Sequence, residues 1–307
     1  MTVYKSCSLD TLIEACKWHQ RRVKGLREET VHGYECIARL FMRASLGDDP
    51  VDPRDLRPSD VTEFVISMRG QFSVLSMKVV RTALRSFLSF LRMEGLCDPG
   101  LEAAIPTAAR WRGSTLPRCL SDEQLKRVLA SLSLRTRCAF RDRAIVWCLS
   151  TLGLRPGEVA ALHLDDLDWR EGTIRLRTRK TGRGAVLPLP REAGRAIVDY
   201  LRRERPKTDE RHVFVQHLRP RRGAPISRGG VSEAVVRALR RAGIDSPIAG
   251  AYVFRHTLAS RMVRQGASLK EVADLLGHRS LDTTTIYAKL DVESLREVAL
   301  PWPEVHR

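Results

Sequence analysis

The chain is organised around one stretch, which reads Tyr252-Val-Phe-Arg255-His256-Thr-Leu-Ala-Ser-Arg261 and, after a connection, Leu275-Leu276-Gly277-His278-Arg279-Ser280-Leu-Asp-Thr-Thr-Thr-Ile-Tyr287. Before its second half, Ser268 and Glu271 form a capping box, which predicts the start of a helix. Gly277 is a natural left-handed C-cap, and His278 therefore falls just after the predicted helix end.

The next predicted helix carries the tyrosine that closes this stretch. Ser280 is a candidate N-cap, which places Tyr287 about two turns into the helix. Polar, reactive side chains are thus brought together from separate elements.

Length and charge limit the number of domains and the class of partner that this sequence can have. At 307 residues the chain is long enough for two domains, each with its own core. A formal net charge of +17 and a pI near 10.2 predict a polyanionic partner, with nucleic acid as the first candidate. Positions 1–112 hold 17 basic and 14 acidic residues and the remainder holds 36 and 22, so the positive charge lies mostly in the C-terminal region. A genome that favours Arg codons is the alternative explanation for part of the excess.

Cysteine usage and hydropathy exclude several classes of protein. The seven cysteines include no C-x-x-C pair, so neither a zinc site nor a disulfide framework is predicted. No segment has the apolar length of a membrane span, and no membrane partner is expected. A reducing, cytoplasmic setting is the expected localisation.

A helical N-terminal domain is predicted over residues 1–97, with helices at 8–24, 28–45, 60–69 and 74–94. The last helix has an apolar stripe that includes Val80 and Leu84. On another side it has a basic stripe, from which Lys78, Arg81 and Arg85 are predicted to contact DNA. A solvated surface face is the alternative for this stripe. Residues 98–117, which are interrupted by proline and glycine, are predicted to form a basic linker.

A second domain is predicted over residues 118–307. Its helix over 137–152 ends at Gly153, and Arg155 then lies at the mouth of a helix that starts with Pro156. Residues 173–177 and 185–189 alternate as the strands of a β-hairpin with Lys180 at its tip. Residues 213–215 are a candidate third strand, a further helix is predicted from 232 to about 242, and a last helix is predicted over 291–299.

Five polar side chains of this domain indicate a reaction; they are Arg155, Lys180, Arg255, His278 and Tyr287. Two arginine forks can hold the non-bridging oxygens of a phosphate and neutralise charge as the phosphorus becomes five-coordinate. A phenol can attack the phosphorus, although its free pKa of about 10 requires surrounding cations that favour the phenolate. A lysine can protonate the leaving oxygen. The set predicts phosphoryl transfer without a metal or other cofactor.

The same motifs resemble those of the tyrosine recombinases of the phage integrase family, with an Xer-like size and layout. The matching pieces are Gly153-Leu-Arg155-Pro-Gly-Glu158, Lys180-Thr-Gly-Arg183, Arg255-His256-Thr, Leu276-Gly-His278 and Tyr287. The resemblance implies a mainly α, two-domain chain, with a helical, SAM-like core-binding domain before a mixed α/β catalytic domain that has a small antiparallel sheet. It also implies double-stranded DNA as the partner, a DNA contact at Arg183, and a homo-tetramer in a synaptic complex, which related recombinase subunits could join.

The resemblance implies a role for each site residue. Tyr287 would attack a DNA phosphate, form a 3′-phosphotyrosine bond and release a 5′-hydroxyl. Arg155 and Arg255 would clamp the phosphate. Lys180 would be the general acid at the 5′ oxygen, and His278 would hydrogen-bond the phosphate.

One position departs from the family pattern, in which a histidine usually stands three residues before the second arginine. Here that position is Tyr252, whose hydroxyl can donate a hydrogen bond but is a poor base near neutral pH. His256, one helical turn further on, is not expected to reproduce the direction of the missing side chain. General-base assistance is therefore predicted to be weak or to come from elsewhere, such as Lys180 or water.

Two functions from different classes fit these observations. The first is an active site-specific DNA recombinase that serves integration, excision, transposition of a mobile element or dimer resolution. The second is a DNA-binding accessory or weakly active recombinase subunit of a mobile element. The complete set of five polar residues favours the first function, and Tyr252 leaves room for the second.

Overall fold

The structure is a computed structural model of the chain. It describes residues 8–47, 50–70, 74–107, 118–132, 138–177, 184–244, 250–278, 280 and 283–288. The chain divides into two compact units, Met1–Arg110 and Trp111–Arg307.

The first unit is a helical bundle. Its helices are α1 (Leu9–Arg22), α2 (Glu28–Leu46), α3 (Pro58–Ser67) and α4 (Val74–Met93), with short 3-10 turns at Pro53–Asp55, Met68–Gly70 and Pro99–Glu102. Apolar residues from all four α-helices form one core, in which Phe41, Leu84 and Phe87 are fully buried. The predicted apolar stripe of α4 is confirmed, because residues at helical spacing share the face that packs on the bundle.

The 3-10 turn after α4 also belongs to this core. Leu101 and Ile105 are buried in it, and Arg92 of α4 donates a 2.8 Å hydrogen bond to Glu102. The first part of the predicted linker thus packs on the bundle, because its apolar side chains have a partner surface there. Residues 108–117 lie outside the described ranges, and the domain boundaries stay a prediction.

The second unit is built around a central helix. Its helices are α5 (Asp122–Ala130), α6 (Ala139–Leu152), α7 (Pro156–Ala160), α8 (Arg191–Arg203), α9 (Arg228–Arg241), α10 (Tyr252–Arg264), α11 (Leu269–Leu276) and α12 (Thr285–Ala288). Helix α6 packs against α8, α9 and α10, and ten of its 14 residues are buried. Its C-terminal end is therefore a fixed point from which the candidate site is built.

A small antiparallel sheet completes the second unit. Its strands, in the order β1-β2-β3, are β1 (Leu167–Asp168), β2 (Thr173–Leu176) and β3 (Ala185–Pro188). The register pairs Ile174 with Leu187 and Leu176 with Ala185, which confirms the predicted hairpin strands. The predicted fold class, mainly α with two units and a small antiparallel sheet, is confirmed.

The predicted third strand is wrong. Of residues 213–215, only Val215 forms a β-bridge, an isolated one to Pro225, and β1 supplies the third strand instead. Val213, Phe214 and Val215 are all buried, so this run fills the core and lacks the alternation of a half-buried strand.

Two helix starts are also wrong. Helix α9 begins at Arg228, four residues before the predicted start, because the Ser227 hydroxyl accepts a 3.1 Å hydrogen bond from the Gly230 amide and caps the helix there. Helix α12 begins only at Thr285, so Tyr287 lies in its first turn rather than two turns in. The Thr283 amide donates to the Ser280 carbonyl at 3.1 Å.

Candidate active site

Arg155 is positioned by the junction between α6 and α7. Gly153 ends α6 in the left-handed conformation, with φ 60° and ψ 24°, which reverses the chain. Arg155 is then the N-cap of α7, and Pro156 follows at the first helical position. The Glu158 carboxylate accepts 2.8 Å and 2.7 Å hydrogen bonds from the Arg155 amide and from Nη1. One carboxylate thus fixes both the backbone and the guanidinium of Arg155.

Arg255 lies on α10 and is only 4% exposed. Its Nη1 atom donates to the Gly153 carbonyl at 2.7 Å and its Nη2 atom to the Leu276 carbonyl at 2.5 Å. Both carbonyls stand at helix C-termini, where they have no intrahelical partner and where the helix dipole is negative. A buried cation therefore ties together the ends of α6 and α11.

The two arginines converge on the same helix end. Arg155 Nη2 lies 3.5 Å from the Gly277 carbonyl, next to the Leu276 carbonyl that Arg255 binds. This places the two guanidinium groups beside one another at the C-terminus of α11.

His278 follows that helix end, as the sequence predicts. Ser268 and Glu271 form the capping box of α11, and Gly277 closes the helix with φ 61° and ψ 52°. The His278 amide returns to the Ala273 carbonyl at 2.9 Å, which is the hydrogen bond of a Schellman cap.

The His278 ring is held in a desolvated, positively charged setting. Its Nδ1 atom lies 2.8 Å from the Thr284 hydroxyl. Burial, together with the charges of Arg255 and Arg155, lowers the pKa of His278 to about 4. The imidazole is therefore neutral at neutral pH.

Tyr287 is buried, with 1% of its surface exposed. It packs in a small cluster with Ala259, Val263, Val272 and Leu276, which come from α10 and α11. Burial raises the pKa of the Tyr287 hydroxyl to about 12, and the nearby Arg255 charge opposes that rise. The phenol is thus protonated at neutral pH in this arrangement.

The Tyr287 hydroxyl has a partner that sequence reasoning missed. Nδ1 of His256 lies 2.8 Å from the Tyr287 oxygen, and the two ring centroids are 5.8 Å apart. Burial first, and then the neighbouring Arg255, lowers the pKa of His256. No local pattern signals this contact, because it depends on how α12 docks on α10.

Tyr252 is the first residue of α10 and is 46% exposed. It lies one turn before His256 and three residues before the buried Arg255. Its proposed participation in the reaction stays a prediction.

The remaining predicted site residues lie outside this cluster or outside the described ranges. Lys180 and Arg183 belong to residues 178–183, outside the described ranges, between the paired ends of β2 and β3. In the first unit, Lys78 and Arg85 are exposed on α4. Arg81 is half-buried, and within the described residues its Nε atom has no hydrogen-bond partner.

The described residues contain no group of three or more His, Cys, Asp or Glu side chains placed to hold a metal ion. In the same ranges, no helix has both the length and the apolar character needed to cross a membrane.

Comparison with known sequences points to one family. The sequence model described as the phage integrase family matches residues 118–294. A Sinorhizobium fredii protein named as an integrase/recombinase, y4rA, is 43% identical over 291 residues, which cover 95% of this chain and 70% of that protein. The tyrosine recombinase XerD of Listeria monocytogenes is 29% identical over 284 residues, with 90% of this chain and 92% of XerD covered.

Comparison with solved structures agrees on the fold. The XerH site-specific recombinase, in a post-cleavage complex with its palindromic difH substrate, superposes with a TM-score of 0.71 at 20% identity. The match covers 95% of this chain and 84% of the XerH chain.

Proposed function

The chain belongs to the phage integrase family and is a site-specific tyrosine recombinase, and we propose that Tyr287 is its nucleophile toward a DNA phosphate. The observation that carries the proposal is the convergence of Arg155, Arg255 and His278 at the C-terminus of α11, where the Arg255 charge also acts on Tyr287. Positive charge and a phenol are thereby gathered where a phosphate can be held and attacked.

The proposed reaction exchanges one phosphodiester bond for another. The Tyr287 oxygen attacks phosphorus, the bond to the 5′ oxygen breaks, and a 3′-phosphotyrosine bond forms. Arg155 and Arg255 stabilise the charge on the non-bridging oxygens, because guanidinium forks match phosphate geometry. Neutral His278 hydrogen-bonds the phosphate, and Lys180 gives the leaving 5′ oxygen its proton. Rejoining is the reverse reaction with a new 5′-hydroxyl.

Glu158 acts as the support of Arg155 in this scheme. It contacts both the amide and the guanidinium of Arg155 and is itself only 9% exposed. Its carboxylate therefore restricts the rotamers of the guanidinium before DNA arrives, which lowers the entropy cost of phosphate binding.

The burial of Tyr287 adds a step before chemistry. An attacking oxygen must come to roughly 3–3.5 Å from the phosphorus, whereas the Tyr287 side chain is 1% exposed. DNA binding therefore has to bring the phosphate to the buried hydroxyl or move α12 outward.

DNA contacts are proposed on both units. The proposed contacts to the DNA backbone are made by Arg183, which follows Lys180 by three positions in the sequence, and by the α4 residues Lys78, Arg81 and Arg85. Replacing the three α4 residues with Gln should make DNA binding less sensitive to salt. The slope of log K for DNA association against log salt concentration should become shallower by about 0.9 for each phosphate contact that is lost.

The proposed assembly is a homo-tetramer on two duplexes. Exchange between two duplexes cuts four strands, and each cut needs its own Tyr287. Related recombinase subunits could replace some copies in such a complex. A DNA substrate also supports the expected cytoplasmic localisation.

A covalent-trapping selection tests the proposal and identifies the DNA site in the same experiment. The purified protein is incubated with nicked duplexes whose central sequence is randomised, because the short fragment next to the nick diffuses away and prevents rejoining. Covalent adducts are recovered under denaturing conditions and sequenced. Wild type should enrich one sequence, and peptide mapping should find the DNA fragment on Tyr287.

Tyr287→Phe is the matched control, because it removes one oxygen and keeps the packing of the ring. It should bind the enriched sequence and give no adduct. Absence of any Tyr287-dependent adduct would refute catalysis and leave the accessory, DNA-binding role, which the family membership does not favour.

A further inference from the structure

The contact between His256 and Tyr287 has no role in the reaction as proposed so far. It joins Nδ1 of His256 to the hydroxyl that attacks the phosphate, at 2.8 Å. The angle between the ring planes is 51°, and the His256 ring is half-buried. The contact therefore lies at the reacting atom itself.

We infer that His256 is a catalytic residue that accepts the proton of the Tyr287 hydroxyl while the phenolic oxygen attacks the DNA phosphate. This inference rests on Tyr287 being the nucleophile. The proton moves from the phenol to Nδ1, the new O–P bond forms, and the P–O5′ bond breaks. The 5′ oxygen takes a separate proton from the general acid, so one proton is accepted and one donated in each cleavage.

A proton acceptor is needed because the phenol is a weak acid at this buried position. With a pKa of about 12, roughly one Tyr287 in 10⁴ to 10⁵ is ionised near pH 7.5. Attack by the free phenolate would be limited by that fraction. Transfer of the proton during attack removes the limit, which is the usual advantage of general-base catalysis.

His256 has the protonation state that the role requires. Burial and the Arg255 charge lower its pKa, so the ring is neutral near pH 7 and can accept a hydrogen bond at Nδ1. The tautomer that accepts at Nδ1 carries its proton on Nε2. A phosphate bound by Arg255 offsets the arginine charge, and this raises the basicity of His256 when substrate is present.

The charged and titratable neighbours of His256 come from several elements. Arg255 precedes it on α10, Tyr287 faces it from α12, and His278 follows α11 and is close enough for its pKa to respond to His256. Cys119, which precedes α5, acts on the pKa of Tyr287. Of these groups, Arg255 is the one whose charge acts directly on His256.

The position of His256 on α10 places it next to a proposed phosphate ligand. His256 directly follows Arg255, so the proton acceptor and the phosphate ligand are consecutive residues of one helix. One helix thus supplies an imidazole to a site in which Tyr252 replaces the family's usual histidine.

Cleavage rates of two variants separate proton transfer from positioning. His256→Ala removes the contact, whereas His256→Asn keeps an acceptor near the place of Nδ1 that cannot take a proton. Single-turnover adduct formation is measured from pH 6 to pH 9 on the nicked duplex that wild type selects. Wild type should be nearly flat above pH 7, because His256 is already neutral. Both variants should be slower by about 10²- to 10⁴-fold at pH 7 and should speed up about tenfold per pH unit, as the phenol ionises.

A sulfur-substituted substrate adds a second readout. When sulfur replaces the bridging 5′ oxygen, the thiolate leaves without a proton, because its pKa is far below that of an alcohol. This substrate should rescue Lys180→Ala and should not rescue either His256 variant. This pattern would show that His256 does not protonate the leaving oxygen, and the pH profile then separates proton transfer from positioning.

The outcomes are distinguishable. If wild type gives no Tyr287 adduct, the proposed function itself is refuted. If wild type cleaves and His256→Asn cleaves at the wild-type rate with a flat pH profile, His256 only positions the phenol and the inference fails. It also fails if His256→Ala cleaves faster than wild type, since the contact then restrains the nucleophile. Thermal unfolding and DNA binding of both variants check that they are folded.

Discussion

Arg255 is both a structural tie and a proposed phosphate ligand. Its guanidinium holds carbonyls at the ends of α6 and α11 while it is almost wholly buried. Burial of a charge is tolerated only when hydrogen bonds compensate it, and helix C-termini supply strong acceptors. The reactive cation is therefore fixed in place before DNA arrives.

Removal of Arg255 should cost stability as well as activity. Arg255→Ala leaves the Gly153 and Leu276 carbonyls without this donor, and each should lower the free energy of unfolding by about 1–3 kcal/mol. Urea unfolding measures the loss, and the trapping assay should show no adduct. Arg264→Ala, at an exposed position of the same helix, is the control and should stay within about 0.5 kcal/mol of wild type. Equal unfolding curves for the two variants would show that the buried hydrogen bonds do not stabilise the fold.

Tyr252 can be separated from the rest of the site by two replacements. Because the side chain is 46% exposed, neither Tyr252→Phe nor Tyr252→His should change the free energy of unfolding by more than about 0.5 kcal/mol. If the hydroxyl donates to the phosphate, Phe should slow cleavage about tenfold, the equivalent of one hydrogen bond, and His should not. Cleavage rates on the selected duplex distinguish these outcomes. If neither replacement changes the rate, Tyr252 has only a structural role.

At the scale of elements, helix ends build the site. The C-termini of α6 and α11, closed by left-handed glycines, meet at the two arginines. An α-helix leaves its last four carbonyls without partners inside the helix. Arginine N–H groups can therefore donate hydrogen bonds to the free carbonyls of two helices at once. The angle between these helix ends therefore controls the spacing of the phosphate ligands.

Substitution of Gly153 should lower both stability and cleavage rate, for two reasons. Its φ is +60°, and an added Cβ would lie 2.8 Å from Leu276 Cδ2 and 3.0 Å from Leu258 Cδ2. Gly153→Ala should therefore cost about 1–2 kcal/mol in backbone strain, with a further cost for displaced leucines, and should slow cleavage by moving the end of α11. Urea unfolding and adduct formation are the measurements.

Gly243 provides a matched control for that variant. Its φ is +64°, and an added Cβ would meet nothing within 4 Å. Gly243→Ala should show only the backbone cost and should cleave at the wild-type rate. Indistinguishable results for the two glycines would mean that the contact with α11 does not set the site geometry.

At the scale of the whole molecule, half-buried neutral histidines make stability depend on pH. The pKa values of His217 and His278 are lowered to about 4, chiefly by burial and further by nearby arginines. In the unfolded chain both titrate near 6.5, so between pH 6.5 and 4 the unfolded state binds more protons. Their contribution is thus present above pH 6.5 and is lost as the pH falls toward 4.

Calorimetry of the full chain tests this dependence. The Tm should fall between pH 7 and pH 5, and His217→Gln with His278→Gln should reduce that fall. His32→Gln, at an exposed histidine, is the control and should keep the wild-type dependence. If the double variant loses as much Tm on acidification as wild type does, these two rings are not the source.

Much of the architecture can be predicted from local sequence. The capping box of Ser268 and Glu271, the glycine ends of α6 and α11 and the β2–β3 strands are all legible in the sequence, and the structure confirms them. Caps and hairpins are readable because their hydrogen bonds join residues a few positions apart. The start of α12 at Thr285 could not be predicted, since Ser280 offers a candidate cap five residues earlier in the sequence.

The sequence by itself determined the family, the fold class and the identity of the candidate site residues, because these depend on motifs and short-range periodicity. Only the tertiary structure decided which atoms meet: Arg255 with the carbonyls of two helix ends, and His256 with the Tyr287 hydroxyl 31 residues away. The physical reason is that such contacts follow from the packing of α10, α11 and α12 against one another. Packing is a cooperative property of the whole core, and no single stretch of sequence encodes it.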